Sequence, residues 1–122
     1  SNDAMQYAVL EAMEQANDYP SVMAAEFQQR CNLIVDRLNA MPGVQCHRPK
    51  GAIYVFPKVD VPGMNSEDIA MELLRDGVLC SPGSAFGPSG EGHLRFAYTI
   101  SQADIARGMD KVEATLKRLQ QA

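Results

Sequence analysis

The sequence predicts an α/β domain of the α+β type, built as two layers: a small, mostly antiparallel sheet of about four strands with helices covering one face. Three observations lead to this fold class. The 122 residues are 46% hydrophobic and 21% charged, which is typical of a single globular domain. Apolar residues recur with helical spacing in some segments and alternate in others. The connections between these segments are mostly too short for anything but a two-layer domain.

The first long helix is predicted from about Ser21 to Met41. Its apolar residues are spaced four and three positions apart, which forms one stripe of an amphipathic helix. These residues are Phe27, Cys31, Ile34, Leu38 and Met41. Pro42 and Gly43 end the helix.

The preceding segment, 1–18, also has a helical pattern. It lies before a turn predicted at Tyr19 and Pro20, so it need not join the same core. We therefore interpret 1–18 as a linker or as the helical tail of something larger, and 19–122 as the domain.

The middle of the chain predicts two short strands around a turn at 49–51, followed by a second helix. The strands are indicated by alternating residues in VQCHRPKGAIYVFPKV. The helix lies in NSEDIAMELLRDG, where Asn65 or Ser66 suits the N-cap and acidic residues follow in the first turn. Gly77 is typical of the position just after a helix.

The last part of the chain predicts two more strands and a closing helix. VLCS is the third strand and 93–100 the fourth. Ser101, with Asp104 three positions later, favours a helix start. The apolar stripe of this helix consists of Ile105, Met109, Val112, Leu116 and Leu119.

Composition and charge argue against several function classes. The formal charge of −4, without a cluster of Lys and Arg, disfavours a nucleic-acid partner. The sequence has no apolar run of about 18 residues, so no membrane span is expected, and no basic start followed by a short apolar stretch, so no signal peptide is expected. The odd set of Cys31, Cys46 and Cys80 predicts reduced, buried thiols in a cytoplasmic protein. His47 and His93 have no companion at metal-ligand spacing, so no metal site is expected.

The stretch SPGSAFGPSGEGHLRFAYTIS contains the main candidate for a site residue, Arg95. The stretch lacks the lysine of a phosphate-binding P-loop, and its serine does not fit the register of a hydrolase nucleophile turn. Strand alternation places Leu94, Phe96 and Tyr98 on one face and Arg95 on the other, away from the helices. Arg95 is then either a solvated side chain or an anchor for an anionic substrate, since a guanidinium binds a carboxylate through two parallel hydrogen bonds.

Over about residues 21–122, these motifs in this order resemble the C-terminal small domain of class I/II pyridoxal-phosphate aminotransferases of fold type I. Segment 1–18 resembles the helical stretch that closes the large domain of that family. The resemblance is carried by RPKGAIYVFPKV, by GVLCSPGSAFGPSGEGHLRFAYTIS and by the closing helix. The matching positions are Pro49, Gly51, Ala52, Tyr54, Phe56, Pro82, Gly83, Phe86, Gly87, Gly92, Leu94, Arg95, Phe96 and Ser101.

The resemblance implies an enzyme that moves an amino group between an amino acid and a 2-oxo acid, with pyridoxal 5'-phosphate as cofactor. It implies that Arg95 binds the substrate α-carboxylate and that the full-length protein is a homodimer. Phe86 and Tyr54 are expected either at the substrate entrance or in packing.

The same resemblance implies that the cofactor-binding lysine lies in a missing large domain. The chain has only Lys50, Lys58, Lys111 and Lys117, none in a Ser-x-x-Lys setting. We therefore expect a fragment that has no catalytic residue, binds no cofactor and is inactive alone. Two alternatives stay open: the same domain from a pyridoxal-phosphate-dependent lyase, and a stand-alone α/β ligand-binding or regulatory module.

Overall fold

The computed structural model describes residues 2–15 and 18–121. The interpreted segment 1–18 includes residues 1, 16 and 17, and the interpreted domain ends at residue 122. These four residues lie outside the described ranges. In chain order the described helices and strands are α1 (Asp3–Gln15), α2 (Tyr19–Asn39), β1 (Val44–Gln45), β2 (Tyr54–Val55), β3 (Lys58–Val59), α3 (Ser66–Arg75), β4 (Ser81–Pro82), β5 (Leu94–Ala97) and α4 (Gln102–Gln120).

The strands pair in antiparallel fashion throughout. β5 lies between β2 and β4, while β1 pairs with β3. A bridge between Lys58 and His93 continues the β2–β5 register into β3. Pro57 separates β2 from β3 because it has no N–H to donate, although its carbonyl accepts from the Leu94 N–H at 3.0 Å. The single strand predicted here is therefore divided in two at Pro57.

The core lies between the sheet and helices α2, α3 and α4. Leu94, Phe96 and Tyr98 of β5 are buried in one continuous apolar cluster with residues from these helices. The helical members are Cys31, Ile34, Val35, Leu38, Ile69, Ala70, Leu73, Ile105, Met109, Val112 and Leu116. The predicted two-layer α+β architecture is confirmed.

The predicted caps are confirmed in their atomic detail. The Asn65 side chain accepts a hydrogen bond from the Asp68 N–H at 2.9 Å at the start of α3. Gly77 follows that helix with a φ of +87°, a conformation that favours glycine. At the start of α4, Ser101 Oγ accepts from the Asp104 N–H at 3.1 Å and donates to the Asp104 carboxylate at 2.8 Å.

Two local predictions are wrong, those of the turn at Tyr19 and Pro20 and of the third strand. Tyr19 and Pro20 form the first turn of α2 rather than a turn before it, since proline is favourable at the start of a helix. The third strand is displaced from VLCS to Ser81–Pro82. Val78 contributes to the C-terminal cap of α3 instead, since its N–H donates to the Leu73 carbonyl at 2.8 Å. By contrast, the two strands predicted around 49–51 do pair, since β1 pairs with β3, the second half of the predicted second strand.

The three cysteines are free thiols, as predicted. Cys31 and Cys46 are buried, whereas Cys80 is only partly buried. Burial raises the pKa of the Cys46 and Cys80 thiols to about 11 in each case, so both are protonated near neutral pH. In the part of the chain that the structure describes, no helix has the length and apolar character needed to cross a membrane.

Candidate functional site

Arg95 lies on the face of β5 opposite the helices, as the alternation predicted. Its neighbours Leu94 and Phe96 are buried in the core, whereas Arg95 is partly exposed. In the β4–β5 register Arg95 faces Ser81, and its Nη2 donates to Ser81 Oγ at 3.3 Å. Ser81 was missed in the sequence because its contact with Arg95 depends on the β4–β5 register, which no local pattern specifies.

Arg95 differs from the other arginines of the chain in its partners. Within residues 2–15 and 18–121, no carboxylate forms an ion pair with Arg95. Each of the other six arginines has an Asp or Glu partner within 4.0 Å. These six are Arg30, Arg37, Arg48, Arg75, Arg107 and Arg118. Arg95 is thus a cation on the open sheet face whose charge is not neutralised by a neighbouring acid.

Two aromatic rings contact the Arg95 guanidinium. Its central carbon lies 4.5 Å from the centroid of the Tyr54 ring and 4.7 Å from that of Phe86. Both distances are within the ~6 Å range of cation–π attraction. Tyr54 is diagonal to Arg95 across the β2–β5 pair, and Phe86 ends a 3₁₀ turn after β4. The rings are 41% and 52% exposed, so neither belongs to the core.

Two further rings extend this surface. The Phe56 ring contacts Phe86 edge-on, with centroids 6.0 Å apart, and stacks on His93 at 5.0 Å. His93 thus packs its ring against Phe56. We call Tyr54, Phe56, Phe86 and His93 the aromatic patch. Phe56 and His93 were not predicted as part of the site, although the same alternation that placed Arg95 also places them on its face.

The loop between β4 and β5 is closed at its base by two glycines. A Cβ on Gly83 would lie 1.9 Å from the Gly90 carbonyl oxygen, and one on Gly90 would lie 2.1 Å from the Gly83 carbonyl oxygen. Only glycine allows this approach. The Gly83 N–H also donates to the His93 carbonyl at 2.7 Å, so the loop is tied to the start of β5.

A carboxylate anchors the same loop to α3. Glu91 accepts from the Ser66 N–H at 2.8 Å, from Ser66 Oγ at 3.0 Å and from the Gly92 N–H at 2.9 Å. These hydrogen bonds, led by that from the Ser66 backbone, hold the pKa of Glu91 below its usual value. The contact places a negative charge at the N-terminus of α3, which is favourable there. No local pattern in the sequence points to this pair.

The lysines and the other acidic side chains of the described ranges give no second candidate site for a cofactor or a metal ion. The side chains of Lys50, Lys58, Lys111 and Lys117 are all exposed, and Lys117 pairs with Glu113 at 3.2 Å. Glu67, whose acidic character suited the start of α3, accepts from Ser84 Oγ at 3.1 Å. In the described ranges, no group of three or more His, Cys, Asp or Glu side chains is arranged to hold a metal ion.

Comparison with known proteins gives consistent matches over almost the whole chain. The family model described as aminotransferase class I and II matches residues 1–112. An aspartate aminotransferase of Pyrococcus horikoshii is 37% identical over 116 residues, which are 93% of this chain and 30% of the relative. Aromatic-amino-acid aminotransferase 2 of Thermococcus litoralis is 35% identical over the same shares of both chains.

A solved structure gives the same result for the fold. The crystal structure of the aspartate aminotransferase from Rhizobium meliloti superposes with a TM-score of 0.84 at 30% identity, covering 93% of this chain and 31% of that one. The chain spans about 30% of the length of the curated relatives it matches.

Proposed function

The chain belongs to the aminotransferase class I and II family, and from this premise we propose that it acts as the C-terminal small domain of an enzyme that moves an amino group between an amino acid and a 2-oxo acid. Residues 19–122 form the small domain in this proposal. Segment 1–18 belongs to the helical end of the large domain. The complete enzyme, here called the parent enzyme, works as a cytoplasmic homodimer.

Within the parent enzyme, we propose that Arg95 binds the α-carboxylate of the substrate. The observation that carries this assignment is that Arg95, among seven arginines, has no acidic partner in the described part of the chain. A guanidinium has five N–H donors, and among the described residues only Ser81 Oγ accepts a hydrogen bond from that of Arg95. The remaining donors suit two parallel hydrogen bonds to a carboxylate.

The α-carboxylate is common to every amino acid and 2-oxo acid. Arg95 therefore orients the substrate but does not distinguish one substrate side chain from another. The matched relatives are named for aspartate and for aromatic amino acids, which agrees with an anchor independent of the side chain. In this proposal, residues of the parent enzyme outside these 122 set its preference for one substrate side chain over another.

The family uses pyridoxal phosphate, but the residues of this chain do not fit a site for it. The covalent attachment of such a cofactor needs a lysine whose pKa is lowered by its surroundings, usually by burial. All four lysines are exposed. We therefore assign the cofactor to the other parts of the parent enzyme, and to this chain the binding and orientation of the substrate carboxylate.

The test compares two substrates in the parent enzyme. Two charge-assisted hydrogen bonds at ~1.5 kcal/mol each amount to about 3 kcal/mol. Replacing Arg95 by Ala should therefore lower kcat/KM for the amino acid on the order of 10²-fold. Arg95→Lys keeps the charge but loses the planar fork, and should give an intermediate value. Arg107→Ala, at an exposed arginine paired with Asp104, is the matched control.

The second substrate is the decarboxylated amine that matches the amino acid. Its turnover should fall far less in Arg95→Ala, because it has no carboxylate to lose. Equal losses for the two substrates would show that Arg95 does not bind the carboxylate. A parent enzyme without aminotransferase activity would overturn the wider proposal in favour of a lyase or a ligand-binding module.

A further inference from the structure

Two rings of the aromatic patch, Tyr54 and Phe86, lie directly against the Arg95 guanidinium. We propose that they are positioning residues, which fix the guanidinium in the orientation that receives a carboxylate; this inference rests on the function proposed above. Cation–π attraction acts between a ring and the cation above its face, so it leaves the N–H edges of the guanidinium available. With both rings at 4.5–4.7 Å, the attraction restricts the guanidinium without occupying its donors.

Phe86 is suited to this role because its loop is fastened at both ends. Gly83, at the start of the 3₁₀ turn that ends in Phe86, contacts Gly90 backbone to backbone. Glu91 then ties the end of the loop to Ser66 through two hydrogen bonds. Phe86 is therefore an exposed ring on a restrained backbone. It can hold the Arg95 guanidinium in place although it is not part of the core.

Tyr54 is fixed by a contact from the buried side of the sheet. Ala52, two positions earlier, has a φ of +62°, which is rare for a residue other than glycine. The buried Tyr98 donates its hydroxyl to the Ala52 carbonyl at 2.8 Å, and the Tyr98 N–H bonds to the Ile53 carbonyl at 3.0 Å. These bonds hold the turn that leads into β2. The segment that carries Arg95 thus also holds the turn that places Tyr54.

Restraint of this kind matters because an arginine side chain has many rotamers. An unrestrained guanidinium loses that freedom when it binds a carboxylate, which weakens binding. A side chain already held by two rings loses less. Because the rings are partly exposed, each should contribute a modest factor, about 3- to 10-fold in KM for the amino acid.

The first experiment observes Arg95 directly in the 122-residue chain. The side-chain Nε–Hε signal of Arg95 is identified by NMR as the one absent in Arg95→Lys. We expect Phe86→Leu and Tyr54→Leu to move this signal and to increase side-chain motion measured by relaxation. Tyr54→Phe and Phe86→Tyr keep the rings and should leave it nearly unchanged. Backbone amide spectra show whether each variant is folded.

The second experiment measures kinetics in the parent enzyme. Each Leu variant should raise KM for the amino acid about 3- to 10-fold, with kcat and the turnover of the matching amine changed less than twofold. The ring-keeping variants should stay within twofold of the unsubstituted enzyme. In an Arg95→Ala background, Phe86→Leu should have no further effect, because the ring acts through the arginine.

The two experiments separate this inference from the function on which it rests. If neither Leu variant changes the Arg95 signal or its motion, the rings do not position the arginine, whatever Arg95 binds. If the signal responds but Arg95→Ala slows amino acid and amine equally, the rings position an arginine that has a different ligand, and the carboxylate assignment fails. An effect of Phe86→Leu that persists in Arg95→Ala would also overturn the positioning role.

Discussion

Helices α4 and α1 both carry apolar residues three or four positions apart, but the structure gives the two helices opposite surroundings. In α4 the stripe that includes Met109 and Leu116 is almost completely buried. In α1 no residue is buried, and Met5 and Met13 are 57% and 75% exposed. The same spacing is therefore compatible with a core helix and with a helix that has no buried residue.

The difference shows what an amphipathic pattern reports. It identifies the face of a helix that would gain from burial, but it does not say whether the covering surface is present in the same chain. For α4 that surface is supplied by α2 and α3, with polar contacts at its edges. Arg37 of α2 bonds to Asp110 at 2.5 Å, and Thr115 donates to Asp76 beyond α3 at 2.6 Å.

The largest effect should follow from truncating the buried stripe. Leu116 is 2% exposed, and Leu116→Ala should lower the free energy of unfolding by about 2–5 kcal/mol, since it removes apolar contacts and leaves a cavity. Urea denaturation measures the change. Val9→Ala in α1 is the control and should stay within about 0.5 kcal/mol. Similar losses in the two helices would mean that α1 is packed as tightly as α4.

A smaller effect should appear in how the free energy of unfolding depends on pH, through the contact of Asp76 with α4. Hydrogen bonds from Thr115 and Arg118 hold the pKa of Asp76 below its ordinary value. A carboxyl whose pKa is lower in the folded state stabilises the fold above its unfolded pKa, near 4, and this stability is lost as the pH falls through the folded pKa.

Asp76→Asn should therefore reduce stability at neutral pH and flatten its fall at acid pH, measured by urea denaturation at a series of pH values. Thr115→Val removes the hydrogen bond from Thr115 to Asp76 while keeping the shape of a buried side chain. It should therefore reduce stability at neutral pH and flatten the acid fall to a smaller extent than Asp76→Asn. An Asp76→Asn profile parallel to that of the unsubstituted chain would exclude Asp76 as a source of the acid dependence.

Substitutions of the exposed apolar residues of α1 should have the smallest effect on stability. They should, however, change the self-association of the chain measurably. Exposed apolar side chains favour self-association. The double substitution Met5→Gln and Met13→Gln should leave the free energy of unfolding within about 0.5 kcal/mol and weaken association of the 122-residue chain in sedimentation experiments. A chain that is strictly monomeric at high concentration before substitution would contradict this expectation.

The parts of the fold that the sequence predicted are those determined by neighbouring residues. Helix caps at Asn65 and Ser101 depend on residues within one turn, and the stripes of α2 and α4 on spacing along one helix. The outward direction of Arg95 follows from alternation along a single strand. These features needed no knowledge of which segments meet.

The parts that could not be predicted depend on contacts between distant segments. The pairing of Tyr54 with Ala97 and of Ser81 with Arg95 joins segments that are not neighbours in the chain. The bonds between Glu91 and Ser66 join positions with no shared pattern. That Arg95 has no acidic partner among the described residues depends on where every charged side chain of those ranges lies in three dimensions. The residues of the site were thus partly predictable, and its electrostatic environment was not.

The continuous register that joins β2 and β3 to β5 also has a consequence for the order of folding. It pairs the segment around Val59 with the segment around Gly92. Making these hydrogen bonds closes a loop of the chain that includes α3. Closing such a loop costs chain entropy, while helices gain their hydrogen bonds locally. Because contacts between segments distant in sequence form slowly, we expect this ladder to form after α2, α3 and α4 have begun to form. We therefore expect the strand that carries Arg95 to be completed late in folding.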